Sequence, residues 1–549
     1  MLKVIPLGGL GEIGLNMMIL EHGEDILVID AGLMFPEDYM PGINLVIPDF
    51  QYLRNNRERV RGVILTHGHE DHIGAMPFFL REFSVPVFGT GFTLQLLNEK
   101  LKEHQLSESA DLRRIAAGDT TRLGPFQVEY IQVNHSIVDG VGLAIDTPEG
   151  MLIHSGDFRI DQTPVDQEFT DLIRFAHFGS DDVLAFFSDS TNVEKEGFTL
   201  SESAVRKTLE DFFLYSRGRI IVASFASNIS RIQQVIDLAV KFDRKVVFNG
   251  KSMVTNVNIA RQEGFVHIPE GLEIREQQIS QFPDKAITVI TTGSQGEPMS
   301  ALARMARGQH KGIRIKQGDT IILSSRFIPG NERTITSIIN SLYRMGAEVV
   351  YEKVSDIHTS GHAKREELKL MFQLVRPRYF VPIHGEYRHL VKHAQLALNM
   401  GMDEDHVLVV ENGDVICFEN RNARVDGHVQ AGRTIVDGKG IGDVGDIVLR
   451  DRRKLGSHGL VIVLLVVDEE TGDAIYGPDI IPRGVVFEHQ IGLSLKDAKP
   501  VVLEVLQEYD PVTPVQWTEV EAGIKRKLKR FFYNAIEKNP LILPIIIPV

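Results

Sequence analysis

Six consecutive residues, His67-Gly68-His69-Glu70-Asp71-His72, carry three imidazoles and two carboxylates. Imidazole nitrogen and carboxylate oxygen together suit Zn²⁺ or Mn²⁺. Dense histidine and aspartate gain nothing from packing, so a metal site is the economical reading. His67 and His69, two apart on an extended loop, can enter one pocket. Asp71 and His72 follow on the first turn of a predicted helix, so one segment can serve two ions. Further donors must come from elsewhere: His135 in Val133-Asn134-His135-Ser136, Asp157 in His154-Ser155-Gly156-Asp157-Phe158, and His384 in Pro382-Ile383-His384-Gly385-Glu386. A coherent set places His67, His69 and His135 on one ion and Asp71, His72 and His384 on the other, with Asp157 between them. Zinc–nitrogen distances are then about 2.0–2.1 Å and the ions about 3.5–4 Å apart. Asp30, after Ile26-Leu27-Val28-Ile29, either orients the 67–72 loop as a hydrogen-bond acceptor or forms a turn. Glu70 reads as a solvated residue between ligands. His22, His104, His177 and His406 read as structural histidines.

The scattered donors share a position. Val63-Ile64-Leu65 ends at His67, Phe126 to Val133 at His135, Met151-Leu152-Ile153 near Asp157, and Tyr379-Phe380-Val381-Pro382-Ile383 at His384. Each run predicts a strand with a donor at its C-terminal end, where sheet enzymes assemble sites from distant parts of the chain. After that the rhythm changes. Thr199-Leu200-Ser201-Glu202-Ser203 predicts a capped helix start. Strands are predicted over 219–225, 245–248, 286–291, 320–324 and 347–351, with helices over 230–242 and 331–345. This alternation implies an α/β domain with a largely parallel sheet. It lies between Asp157 and His384, so it is an insertion into the metal-binding domain. That domain resumes near Lys353 and ends around the Gly-rich, turn-like 437–445 stretch and the residues after it. A small α+β domain follows, with strand-like runs at 460–467 and 483–487 and a helix-like run at 497–509. The expected division is 1–198, 199–352, 353–450 and 451–549.

A chain of 549 residues exceeds one hydrophobic core, and its composition is that of a globular protein. A net charge of −15 excludes a broadly basic nucleic-acid binder, so any such contact must be focused. Two local clusters oppose the average: Arg304, Arg307, His310, Lys311, Arg314 and Lys316, and Lys525, Arg526, Lys527, Lys529 and Arg530. Either one alone reads as a solvated face. The single cysteine, Cys417 in an apolar run, excludes an internal disulfide and reads as a core residue. No export signal opens the chain and no apolar run reaches membrane-spanning length. The expectation is a cytoplasmic protein with no membrane partner.

The HGHEDH run at 67–72 resembles the signature of metallo-β-lactamase-fold hydrolases. The inserted block narrows the likeness to the β-CASP branch. GGLGEIGLN at 8–16, SDSTN at 188–192, TTGSQGEP at 291–298, PGNE at 329–332, HTSGHA at 358–363 and HGEYRHL at 384–390 resemble the bacterial ribonuclease J family over nearly the whole chain. Leu15, Thr359 and Arg326-Phe327 depart from that pattern without touching a metal donor. The resemblance implies a metallo-β-lactamase αββα sandwich with an inserted β-CASP domain and a small C-terminal α+β domain. It implies RNA as substrate, because a histidine at 384 marks the RNA-processing branches. Two divalent ions, Zn or Mn, would acidify a water for attack on phosphorus. His362 would protonate the leaving 3′-oxygen, Asp189 would orient it, and Asp71 would share in holding the water. Ser360, Gly361 and His362 would bind a 5′-monophosphate, giving 5′-to-3′ exonuclease action, with endonuclease action besides. Ser227 and Asn228 either line that pocket or cap the helix after them. Gly293 to Gly296 is either a phosphate-facing loop or a turn. The basic 304–316 cluster would track the RNA backbone. A homodimer or homotetramer through the C-terminal domain is the implied assembly.

Three rivals are weighed against this reading. A small-molecule metallohydrolase has no use for the inserted domain. A DNA nuclease of the same branch is disfavoured by His384. A silent scaffold subunit predicts lost ligands, and none is lost.

Overall fold

Two antiparallel-to-mixed sheets pack face to face in the computed structural model. It describes residues 1–37, 39–294, 299–325, 331–352, 357–438, 440–442, 445–469, 471–485, 497–508 and 516–549. The motifs at 295–298 and 329–330, and the Arg326-Phe327 departure, lie outside the described residues. Packing divides the chain into two compact units, residues 1–34 with 47–433 and residues 35–46 with 434–549.

In the larger unit, an eight-stranded sheet contains Leu2–Gly8, Met17–His22, Asp25–Ile29 and Val60–Ile64 as central strands. A six-stranded sheet orders Tyr379–Ile383, Val183–Asp189, Gly150–His154, Gly140–Thr147, Phe126–Val133 and Thr120–Leu123. Val4, Leu27 and Ile64 of the first sheet meet Val128, Leu143 and Phe187 of the second in one core. The outer face of the six-stranded sheet, including Ile131, Ile153, Phe186 and Phe380, is covered by Phe175 and Phe178 of one helix and Leu368 and Met371 of another. Strands such as Val183–Asp189 are buried throughout because both faces are covered. The result is the αββα sandwich expected from the resemblance.

The inserted α/β block leaves and re-enters this sandwich between neighbouring strands. Val183–Asp189 and Tyr379–Ile383 pair in parallel, with Asp189 opposite Ile383. Between them a five-stranded parallel sheet is ordered Lys245–Asn249, Ile287–Thr291, Ile220–Ala223, Thr320–Leu323, Glu348–Val350. The strand predicted over 219–225 is shorter, Ile220–Ala223. Arg219 turns instead to a buried ion pair with Asp319, 2.9 Å from Nε to Oδ1. The predicted helix start is present: the Ser201 side chain caps Glu202–Tyr215 by accepting from the Ser203 N–H.

The smaller unit holds a three-stranded sheet, Ala474–Arg483, Leu460–Val467 and Leu541–Pro548, with the helices Ala498–Gln507 and Trp517–Ile536 on one face. Of the strand expected at 483–487, residues 486–487 lie outside the described residues; the strand described there runs Ala474–Arg483, beginning nine residues earlier. Its Gly477-Pro478 step and Asp479 hide the apolar alternation by which a strand is read. Asp446–His458 forms a helix that its charged sequence did not announce.

A buried network centred on the Glu202–Arg231 pair ties the insertion to the sandwich through Arg159 and the Ile357 carbonyl. Arg231, fully buried, donates from Nη2 to Glu202 Oε2 at 2.7 Å and from Nη1 to the Ile357 carbonyl at 2.6 Å. Gln234 donates to the same Glu202 oxygen, and Arg159 Nη2 lies 3.6 Å from the other. Burial alone raises a carboxyl pKa, but Arg231 and Arg159 outweigh it and hold Glu202 down at about 2. Glu202 therefore contributes its full stabilisation above about pH 4.5 and loses it as the pH falls toward about 2. Glu202→Gln, which strands two guanidiniums, is expected to cost about 3–5 kcal/mol at neutral pH. Urea melts across the acid range check this: the gap between wild type and variant should narrow as the pH drops.

Candidate metal centre

Strand ends position the donors. His67 follows Val60–Ile64, His69 precedes the short helix Glu70–Ile73 that carries Asp71 and His72, and His135 follows Phe126–Val133. Asp157 follows Gly150–His154, Asp189 ends its strand, and His384 follows Tyr379–Ile383. The structure brings all of them into one cavity floor. His67, His69 and His135 form one donor cluster, and Asp71, His72, Asp157 and His384 a second. A single oxygen joins the two: Asp157 Oδ2 lies 3.7 Å from His67 Nε2, 3.8 Å from His135 Nε2, 3.3 Å from His72 Nε2 and 3.4 Å from His384 Nε2.

The inward nitrogens of the first cluster carry lone pairs. His135 Nδ1 sits 2.8 Å from the Gly361 carbonyl oxygen, which can only accept, so the ring proton is there and Nε2 is bare. His72 Nδ1 likewise lies 2.8 Å from Asp30 Oδ2. His69 Nδ1 then stands 3.1 Å from both His67 Nε2 and His135 Nε2. Converging imidazole nitrogens repel unless a proton or a metal cation lies between them. His384 Nε2 is buried without a hydrogen-bond partner, aimed at Asp71 and Asp157 each 3.4 Å away. This donor set of imidazoles and carboxylates fits divalent cations.

The electrostatics differ between the clusters. Burial first, then neighbouring imidazoles, push His67 and His135 well below the ordinary value, and His69 falls to about 4. These rings keep their lone pairs at neutral pH. Burial also disfavours charge on His384, but Asp157 and Asp71 outweigh it and raise it to about 9; Asp157, Asp30 and Asp71 likewise overcome burial at His72 and hold it well above the ordinary value. A cation in that cluster takes the place of those protons.

Beside the cluster, His362 Nδ1 lies 2.8 Å from Asp189 Oδ2. Burial lowers the His362 pKa, and the Asp189 carboxylate more than restores it, leaving it above the ordinary value. Asn192 Nδ2 donates to Ser360 Oγ at 2.6 Å and to the His362 carbonyl at 2.9 Å, fixing the 360–362 loop. Gly361 has to be glycine: a Cβ there would fall 2.6 Å from His135 Cε1. Asn228 caps the helix Ile229–Lys241, its Oδ1 accepting from the Arg231 N–H, and Ser227 supplies the carbonyl for the Ile229 N–H. Glu70 points outward to Lys100.

Asp30 does more than turn the chain. It accepts from the Thr66 N–H and Thr66 Oγ1, each at 2.8 Å, as well as from His72. Sequence reasoning missed several such supports. Asn16 Nδ2 donates to the Asp71 carbonyl at 3.1 Å and sits 3.1 Å from His72 Nε2, and Thr191 Oγ1 lies 2.7 Å from His384 Nδ1. Both belong to stretches singled out for their resemblance, GGLGEIGLN and SDSTN, so the signal was present without its role.

Four family models match successive stretches of the chain. Residues 10–185 match the metallo-beta-lactamase superfamily, 217–342 the ribonuclease J beta-CASP domain, 346–409 the Zn-dependent metallo-hydrolase RNA specificity domain, and 447–549 the ribonuclease J C-terminal domain. The chain is 40% identical to ribonuclease J2 of Bacillus subtilis over 100% of its own length and 98% of that protein. The chain belongs to the ribonuclease J family. Ribonuclease J of Synechocystis is also 40% identical, over 99% of this chain and 86% of that one. A solved protein of unknown function from Enterococcus faecalis shares the fold, at a TM-score of 0.55 and 16% identity, over 76% of this chain and 99% of that one. As a family member with this donor set, the chain binds divalent metal.

Asp30→Ala leaves every metal donor in place but frees the His72 ring and the 66–67 turn. Metal affinity is expected to fall about 10–100-fold, read by competition with a chromogenic chelator. An unchanged affinity would show that Asp30 only shapes the turn.

Proposed function

We infer that this chain is a metal-dependent ribonuclease that hydrolyses phosphodiester bonds of RNA, working 5′-to-3′ from 5′-monophosphate ends and also cutting internally, in RNA maturation and decay. The observation that carries it is the His362–Asp189 pair standing beside two donor clusters that share Asp157. We assign His67, His69 and His135 to one ion and Asp71, His72 and His384 to another, with Asp157 between; zinc is favoured and manganese is the alternative. Held there, divalent cations acidify a water for attack on phosphorus and offset phosphate charge. Asp189 holds the His362 proton on Nδ1, so Nε2 exchanges a proton with the leaving 3′-oxygen. Asp71 shares in orienting the attacking water.

The 5′-phosphate pocket in this reading is built from the Ser360 hydroxyl, the Gly361 N–H and His362, with Ser227 and Asn228 as the inserted domain's contribution. The Arg304 to Lys316 cluster is our candidate for backbone contacts there, although Lys316 is already held by Asp284 at 2.8 Å. We keep the division at 198, 352 and 450, and the cytoplasm as the compartment where this substrate is met.

The assembly we propose is a homodimer or homotetramer through the C-terminal sheet. Its helix-free face pairs Ile462 with Leu543, Leu464 with Ile545 and Val466 with Ile547. Leu543, Ile545 and Ile547 are 45%, 39% and 43% exposed, an apolar row that a second copy of the sheet would cover. Ile545→Glu is expected to yield monomers by sedimentation velocity; an unchanged assembly would move the interface elsewhere.

Decay of RNA with 5′-monophosphate and 5′-triphosphate ends tests the rest. The monophosphate should be degraded faster by the wild type, and His72→Ala should lose cleavage of both along with bound metal. Equal rates on the two ends would remove the 5′-sensing pocket, and a fully active His72→Ala would remove the two-ion assignment.

A further inference from the structure

Two helices of the C-terminal unit lead into neighbouring strands at the same end of the three-stranded sheet. Asp446–His458 runs into the strand Leu460–Val467, and Trp517–Ile536 leads to the strand Leu541–Pro548, which pairs with it in parallel from Leu460 opposite Leu541. Their ends are tied together: Lys538 Nζ donates to the Ser457 carbonyl and the Asn539 N–H to His458 Nδ1, each at 3.4 Å. Residues 81 positions apart in sequence thus meet at one surface.

That surface is basic. Arg450, Arg453 and Lys454 lie on the first helix, and Arg526, Lys529 and Arg530 on the second; all but the half-buried Lys454 are exposed. On the second helix, positions 526, 529, 530 and 533 form one face, opposite the buried Val520, Ile524, Leu528 and Phe532. Their neighbours are neutralised: Arg452 by Asp437, Lys525 by Glu521, and Lys527 by Glu504 and Glu508. Among the described residues no such ion pair holds the other six. The helices approach closely enough for their charges to interact. Burial first, then Lys529 and Arg450, lower the Lys454 ammonium below its usual range, and only Asp451 opposes them.

A chain with 74 acidic and 59 basic residues has no shortage of carboxylates, so six cations from two helices, none in an ion pair among the described residues, suit an anionic partner. Tyr533, 61% exposed, continues the same face with an aromatic ring. We propose that this two-helix surface binds the phosphodiester backbone of single-stranded RNA, with Tyr533 as a stacking platform for a base. This rests on the ribonuclease reading and adds a holding site outside the catalytic sandwich.

The test is a fluorescence anisotropy titration of the full chain with a nuclease-resistant 2′-O-methyl single-stranded RNA, several tens of nucleotides long, at a series of salt concentrations. The variant Arg453→Gln/Lys454→Gln/Lys529→Gln/Arg530→Gln should bind at least about tenfold more weakly, and its salt slope should flatten by roughly 0.7 per lost phosphate contact. Tyr533→Ala should weaken binding with the salt slope preserved. Turnover of a short 5′-monophosphorylated oligonucleotide should be unchanged in both, which also shows that they fold. Equal affinity and slope in wild type and quadruple variant overturn the proposal. So does an altered oligomeric state with RNA affinity intact, which assigns the patch to a protein contact. A wild type that neither cleaves nor binds RNA overturns the ribonuclease reading itself, a distinct result.

Discussion

The parallel pairing of Val183–Asp189 with Tyr379–Ile383 is the constraint on which the site depends. The two strands are far apart in sequence yet adjacent in the sheet, so the inserted domain must depart and return at points about 4.8 Å apart. Asp189 and His384 reach the same cavity only because Asp189 sits opposite Ile383. A slip of one residue would turn every side chain of the returning strand to the wrong face. The register also sets His384 in the left-handed region, φ 53°, a conformation costly for a residue with a Cβ. Thr191 on one side of the ring and a stacked His72 at 5.3 Å on the other hold it there.

Charge balance explains the rest of the cavity. One buried carboxylate oxygen, on Asp157, faces four imidazoles, and the outer nitrogens of His72, His135 and His384 are each held by Asp30, the Gly361 carbonyl or Thr191. These outer contacts fix the orientation of each ring, and the Gly361 carbonyl leaves Nε2 of His135 bare, so the site is organised before any ligand arrives. The His362–Asp189 pair is built on the same plan and stands against the donors, its ring 4.8 Å from that of His135 and 5.3 Å from that of His384. Glu202 and Arg231 carry a similar balance into the seam between sandwich and insertion.

Much of this was legible in the sequence because strand-end donors follow apolar runs. His67, His135, Asp157 and His384 each terminate a recognisable strand. The insertion was legible because Ile220–Ala223, Ile287–Thr291 and Thr320–Leu323 are buried on both faces and read as continuous apolar runs. What was not legible depends on partners. Asp30, Asn16, Thr191 and Asn192 are ordinary turn residues until the fold sets His72, His384 or Ser360 against them. The basic run from Lys525 looked like a solvated face, and only the convergence of a second helix gives it neighbours. The Ala474–Arg483 strand was hidden by its own glycine, proline and aspartate.

The discontinuous architecture has a consequence for biosynthesis. A ribosome emits residues 1–190 long before His384, with the whole inserted domain in between. Until that domain has emerged, the six-stranded sheet lacks its edge strand and the second donor cluster lacks its last imidazole. Domains fold as units in the order of synthesis, but here the first to appear is completed only after the inserted domain has been made. The nascent chain, tethered to the messenger that encodes it, thus carries an unfinished centre until nearly three-quarters of it has been made.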